Sequence, residues 1–294
     1  MDVLIYGLVN SVVYMLMAAG FTLVYGVSRL PNFAHGALYV LTGFLTWTFV
    51  NSLNLNYFLS IVITLVIVSA LGAGLYAFVL KRVRGMPVSE IIVSFAIALI
   101  ILEGLRLQDI GGFKGFIGSS YSLPAFLQGT FSIAGVTLDY QRLLIIVVGV
   151  VVVVGMWVFT RHQKVGLAFR GMAQDERAAM MLGIDSDRMA VVALAVGSAL
   201  AGVAAVTIYP LGQITAESGY HVLNAALAVC IVGGLGSWMG AILASFIFGF
   251  ATTAAAFFGA PRYQDVILFA LIILVLIVRP SGLFGRQKEL EERV

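Results

Sequence analysis

Residues able to do chemistry are few in this chain, and most of them stand alone. Its three histidines fall at positions 35, 162 and 221, its one cysteine is Cys230, and one carboxylate, Glu103, sits inside an apolar run. An ionisable side chain within a membrane span costs roughly 2.5–3.5 kcal/mol on insertion scales and so marks a functional candidate. Glu103 and His35 are the groups that could serve an ion or proton relay. Glu103 precedes Arg106 by three residues, a spacing that puts both on one helix face, and the apolar run is ending there. The pair reads as structural, at the outer interface. Cys230 lies in an apolar stretch where cysteine packs as a small hydrophobe. No stretch matches G-x-x-x-x-G-K-[ST], H-E-x-x-H or G-x-S-x-G, and no Cys/His cluster has metal spacing. No catalytic or metal-ligating residue is assigned, and nothing in the chain binds and hydrolyses ATP.

Two stretches carry more information than any single residue. The first is Pro31-Asn32-Phe33-Ala34-His35-Gly36, which separates two apolar runs. Asn, His, Pro and Gly together interrupt a helix, and broken backbone at membrane depth is tolerated only where protein or a water-filled cavity satisfies it. Either this break lines a solute path, or it is a tight cytoplasmic turn beside Arg29 in which His35 hydrogen-bonds backbone.

The second is Arg161–Arg188, which holds five Arg or Lys and four Asp or Glu in an otherwise oily chain. Apolar runs flank it on both sides (Leu143–Phe159 and Met189–Tyr209), each near the ~20 residues that cross a bilayer. Its basic excess places it in the cytoplasm. Gly166 to Leu182 is rich in good helix formers, and Ala168, Met172, Ala179 and Leu182 recur at helical spacing as one narrow small-residue stripe. Gly183 supplies a left-handed stop, and Asp185 or Ser186 caps the next helix. Such a helix either docks in a groove of a soluble partner or ties two spans together as a solvated surface element.

The elements that must position these stretches follow from composition. Of 294 residues, 61% are hydrophobic and 11% charged, with a net charge of +3. No soluble domain of this length hides so much apolar surface, so the solvent is lipid. The basic residues gather in short stretches that orient spans, with no face suited to nucleic acid. Nine apolar runs can be marked: 4–27, 37–50, 57–80, 91–105, 143–159, 189–209, 222–236, 238–258 and 265–279. The first has no preceding Lys or Arg and exceeds a signal-peptide core, so it reads as a retained span. Lys81-Arg82-Val83-Arg84, the 161–188 segment and a tail with Arg279, Arg286, Lys288 and Arg293 anchor the cytoplasmic side. Asn51–Asn56, Arg106–Gln141, Pro210–His221 and Ala260–Gln264 then fall outside, and nine crossings put the N-terminus outside, whereas a short run 37–50 that re-enters or breaks mid-membrane puts it inside. The stretch 106–141 (Gly111, Gly112, Gly115, Gly118, Pro124, Gly129) is turn-rich, with a short strand or hairpin expected within Ile133–Leu138. Gly197, Ala201 and Ala205 form a small-residue ridge that lets helices approach closely. Gly233 to Ser237 makes a tight connection between two helices. The fold class is therefore an all-α polytopic membrane protein of about eight to nine transmembrane helices, with a break expected in at least one and with a cytoplasmic coupling helix. It is organised as a single permease domain over 1–294 with a coupling loop at 160–188 and an extracytoplasmic loop at 106–141.

Four blocks in order resemble one family: Ser11–Gly36 with its Asn-Phe-Ala-His-Gly run, Gly166–Arg188, Val232–Gly240 (VGGLGSWMG) and Val278–Gly285 (VRPSGLFG). The chain is similar to the LivH-type permeases of branched-chain amino acid ABC importers (the LivH/LivM family). The resemblance implies a non-catalytic permease of the bacterial inner membrane, paired with a homologous LivM-like permease or with itself. It further implies two cytoplasmic ATPase subunits that bind ATP and Mg, and a periplasmic or lipid-anchored solute-binding protein. No cofactor is expected in the chain itself. Carried over by residue, Gly166, Arg170, Gln174, Asp175, Glu176, Ala179 and Gly183 dock into the ATPase, while Asn32, His35 and Gly36 belong to the helix break near the path. Asn224 departs from the pattern, since many relatives carry Lys there, and it is a candidate for touching solute. Relatives also carry urea, amides and aromatic acids, so the solute class is small and amphipathic. A self-sufficient secondary transporter or channel is the rival reading, and a scaffold subunit without a path is a third.

Overall fold

The computed structural model describes residues 1–107, 121–133 and 135–285. Gly111, Gly112, Gly115 and Gly118 of the outer stretch, and Arg286, Lys288 and Arg293 of the basic tail, lie outside the described residues.

Each of the nine apolar runs forms a helix. They are α1 (Asp2–Ser28), α2 (His35–Asn51), α3 (Tyr57–Gly74), α5 (Pro87–Arg106), α6 (Tyr140–His162), α9 (Ser186–Ile208), α10 (Glu217–Gly233), α11 (Trp238–Phe257) and α12 (Gln264–Val278). A π-helical turn, Leu75–Leu80, and a last turn α4 (Lys81–Val83) prolong α3. Six of these helices are long and apolar enough to cross a membrane by length and composition, and α12 is a shorter apolar helix. The chain is an all-α, multi-pass membrane protein. Its described sheet is a single hairpin, β1 (Thr130–Ile133) with β2 (Val136–Asp139), near the stretch where one was expected.

Burial sorts the helices into two shells. In α1, α9 and α11 about half the residues are buried, against roughly a quarter in α3, α5 and α6. The outer shell turns Val66, Ile92, Val147, Val150, Val154 and Ile277 outward, as hydrocarbon solvent permits. Inside, α1 runs antiparallel to α11, with Gly7 on Phe250, Ser11 on Gly249 and Gly26 on Gly236. The ridge Gly197, Ala201, Ala205 is buried, and Gly197 meets Gly20 of α1 backbone to backbone. Without a hydrophobic drive between helices in lipid, such close packing is what holds them. α1 begins beside the hairpin, where the Tyr6 hydroxyl donates to the Thr137 carbonyl (2.9 Å). It ends beside the charged 161–188 segment, where Leu23 and Val27 pack with Phe169, Met172 and Ala179. Its first residues and the charged segment therefore lie at opposite ends of the bundle.

The charged segment folds as two helices, α7 (Lys164–Gln174) and α8 (Glu176–Met181), where sequence reading expects one. Asp175 makes the break: its backbone is extended (φ −156°, ψ 109°) and its carboxylate accepts from the Ala178 amide (3.0 Å). An N-cap inserted in a helical pattern ends one helix and starts another. The stop at Gly183 (φ 85°) and the cap at Asp185, which accepts from the Arg188 amide, are as expected.

Candidate transport path and coupling face

The break between α1 and α2 reaches well into the bundle. Arg29 takes the left-handed conformation (φ 52°) and closes α1, and the chain then runs back along the bundle to His35. The His35 Nε2 pairs with the Met17 carbonyl at 2.9 Å. Met17 lies about three turns before the end of α1, on the order of 16 Å of helix, so α2 starts deep. Several groups of the return find partners. The Asn32 carboxamide oxygen accepts from the Ala34 amide (3.1 Å). Ser94 of α5 accepts from the Phe33 amide (3.3 Å) and donates to the Pro31 carbonyl (3.4 Å). Ser94 is buried, and sequence reading passed over it, because a lone serine in an apolar run carries no pattern.

α10 also starts inside the bundle. After α9 the chain turns at Tyr209–Leu211, pairs Ile214 with Tyr121, and enters α10 at Glu217. Gly36 and Gly219 meet here: a Cβ at Gly36 would overlap the Gly219 carbonyl oxygen. Thus Asn32, His35 and Gly36 come together at a crossing of α1, α2 and α10, all three buried. They line none of the described cavities. Asn224 follows Leu223, which packs on Gly36, but lies on the exposed side of α10.

Above this crossing, toward the hairpin end, lies a cavity of ≈ 440 Å³ walled by α1, α2, α10, α11 and α12. Its lining includes Asn10, Tyr14, Tyr39, Tyr209, Ser218 and Thr252, and it deepens to Met17, whose carbonyl holds His35. These groups are neutral, and the lining's one carboxylate and one imidazole are those of Glu217 and His221. Both of those residues and Asn224 are exposed along one side of α10. Arg106 pairs with Glu103 (2.9 Å), as its spacing suggests, and also with Glu217 (2.5 Å). His221 lies 3.8 Å from Asp265.

At the other end, α7 and α8 divide the predicted coupling residues between two faces. Gly166, Phe169, Met172 and Ala179 face inward, and a Cβ at Gly166 would overlap the Phe159 carbonyl oxygen. Glu176 is also engaged within the chain, by Arg84 and Ser186. Arg170, Gln174, Asp175 and Gly183 are exposed. Leu182, expected on one stripe with Ala168, Met172 and Ala179, is 84% exposed, and Met181 beside it is 88% exposed. The break at Asp175 resets the helical phase and swings them out.

A bundle of buried small-residue helices, two of them starting inside, with a cavity lined mainly by neutral groups at one end and an amphipathic helix pair at the other, defines a multi-pass membrane permease. The chain belongs to the family described as the permease component of branched-chain amino acid transport systems, whose model matches residues 3–276. It is 29% identical to the high-affinity branched-chain amino acid transport system permease protein BraD of Pseudomonas aeruginosa, over 96% of this chain and 95% of the relative. It is also 29% identical to the corresponding LivH protein of Escherichia coli K12, covering 93% and 91%. The LivM permease protein of Salmonella typhimurium is 27% identical over 93% of this chain and 68% of the relative. Among solved structures, PsaBC from Streptococcus pneumoniae in complex with Fab shares the fold, with a TM-score of 0.52, 14% identity, and 97% and 94% of the two chains covered.

Proposed function

We propose that this chain is the non-catalytic permease subunit of an ATP-driven importer of the inner membrane. Its solute is a branched-chain amino acid or a related small amphipathic molecule. The observation that carries the reading is the α7–α8 pair. It is seated on the bundle through Gly166, Phe169, Met172 and Ala179, yet turns Arg170, Gln174, Asp175, Met181 and Leu182 to solvent. Two exposed apolar side chains beside charges on a short helix suit a groove in a soluble partner, here a cytoplasmic ATPase subunit.

Solute delivered by an extracytoplasmic binding protein enters the cavity lined by Tyr14, Tyr39, Tyr209 and Thr252. Its volume falls within the roughly 300–1,000 Å³ of small-molecule sites. A lining whose one carboxylate, Glu217, is already paired with Arg106 offers a zwitterion or amide no unpaired charge to be trapped on. The crossing at His35 and Gly36 is then the floor that must part. The exposed side of α10 at Glu217, His221 and Asn224 is polar in a bundle whose other outward faces are apolar, and lipid does not favour it. That side faces a second permease, a LivM-like homologue or a copy of this chain, across the shared path. ATP-driven closure of two motors pulls the α7–α8 pairs together and shifts the bundle between two packed arrangements.

The test is uptake into proteoliposomes of leucine, and in parallel of urea and a short amide. The expected result is uptake only with ATPase subunits, ATP, the binding protein and the second permease all present. Flux through the purified chain alone, with no nucleotide consumed, would overturn the reading in favour of a channel or secondary transporter.

A further inference from the structure

Beneath the α7–α8 pair a cluster of charges ties three separate segments of the chain together. Arg84, which follows α4, directs its guanidinium at three acceptors. Its Nη1 donates to Asp187 Oδ1 (2.5 Å), and its Nη2 donates to Ser186 Oγ (2.5 Å) and to Glu176 Oε1. The Ser186 hydroxyl donates to Glu176 as well (2.5 Å). Lys81 adds an ion pair to the other oxygen of Asp187 (2.9 Å), and the buried Tyr76 donates its hydroxyl to Asp187 Oδ1 (3.1 Å). The inner end of α3 is thereby joined both to the first turn of α9 and to the first residue of α8.

Most surface ion pairs contribute little. This cluster differs in three respects. The Arg84 and Glu176 side chains are each only 26% exposed. The planar guanidinium fork holds several acceptors at once, which a lysine does not reproduce. And Tyr76 reaches Asp187 from the π-helical turn Leu75–Leu80, an irregularity frequent at functional sites. Below the cluster α3 and α9 are locked along their length, with Gly72 against Ser198 and the Ser69 hydroxyl donating to the Ala195 carbonyl (3.1 Å).

We propose that Arg84 is the joint that transmits displacement of α8 to the α3–α9 pair, and that Glu176 acts inward on this joint, without contacting the motor. The inference rests on the coupling role of α7–α8 proposed above and assigns Arg84, outside that segment, as a positioning residue. A permease with a broken joint still holds its ATPase, but the motor's stroke reaches the spans poorly.

The experiment uses the assembled transporter in proteoliposomes with Arg84→Gln, Glu176→Gln and both together. Solute uptake, ATP hydrolysis and the amount of ATPase that co-purifies are measured on each sample. Arg84→Gln is expected to retain co-purified ATPase and to lower uptake per ATP hydrolysed by about tenfold, within the span of measured coupling energies. The double variant is expected to fall no further than either single variant, because one contact has been removed twice. Arg84→Lys, which keeps the charge and loses the fork, is expected to be intermediate, and it serves where the glutamine variant assembles poorly. Unchanged uptake per ATP in both Arg84 variants overturns the proposal. So does a double variant whose loss is the product of the singles, since Glu176 then acts on something other than Arg84. Failure of the unaltered permease to retain any ATPase removes the coupling reading itself, a result distinct from either.

Discussion

At Gly36 the backbones of α2 and α10 cross so closely that one added methyl group would overlap the Gly219 carbonyl oxygen. Gly36→Ala is expected to cost about 1–3 kcal/mol, as overpacking does in close-packed interiors. It should appear as a lower Tm of the detergent-solubilised protein, and an unchanged Tm would show that the crossing gives way freely. His35 beside it is bonded to the Met17 carbonyl, and Asn32 to the Ala34 amide. These residues were legible in the sequence as a break because Pro, Asn, His and Gly rarely cluster inside an apolar run. Their depth was not, since it depends on Met17 and on Ser94, which are distant in the chain.

α7 and α8 show what one residue does to an element. Helix propensity and a small-residue stripe lead to one helix over Gly166–Leu182, and Asp175 divides it, so that Leu182 parts from the buried Met172 and Ala179 of that stripe and lies in solvent. The exposed pair Met181 and Leu182 then becomes the apolar part of the coupling face. Met181→Glu with Leu182→Glu is expected to abolish retention of the ATPase subunits on an affinity column while leaving the Tm unaltered. Retention at the original level would move the docking face elsewhere on the helix pair. The Ala178 amide holds the Asp175 carboxylate below its usual range. Its capping contribution is complete above the unfolded pKa, about 3.9, and is lost as pH falls through the lower folded value. Hydrogen exchange at the Ala178 amide should therefore stay slow at neutral pH and accelerate, beyond the intrinsic rate, only in acid below that range.

Over the whole molecule, two thiol-labelling experiments check the arrangement, with the buried Cys230 as a quiet background. Asn224→Cys is expected to react with a water-soluble maleimide in native membranes and Val150→Cys, on the outer shell, to remain unmodified. Equal protection of both would place α10 against lipid. Ser52→Cys, at the end of α2, and Arg177→Cys, on α8, should be reached from opposite sides of the membrane, the first from outside and the second only after permeabilisation. Labelling of both from one side would contradict the antiparallel course of the helices.

Hydrophobic run length and the bias of basic residues are local quantities, set by the bilayer's thickness and its charge asymmetry. They were enough to place nine helices and the charged segment between the fifth and sixth. The small-residue ridge of α9 was legible for the same reason, because only small side chains let helices approach in lipid. Which helices begin inside the bundle, which way Glu176 turns, and that Arg84 meets Asp187 depend on pairings across long stretches of chain. Such pairings follow from packing the whole bundle at once, and only the tertiary structure decides them.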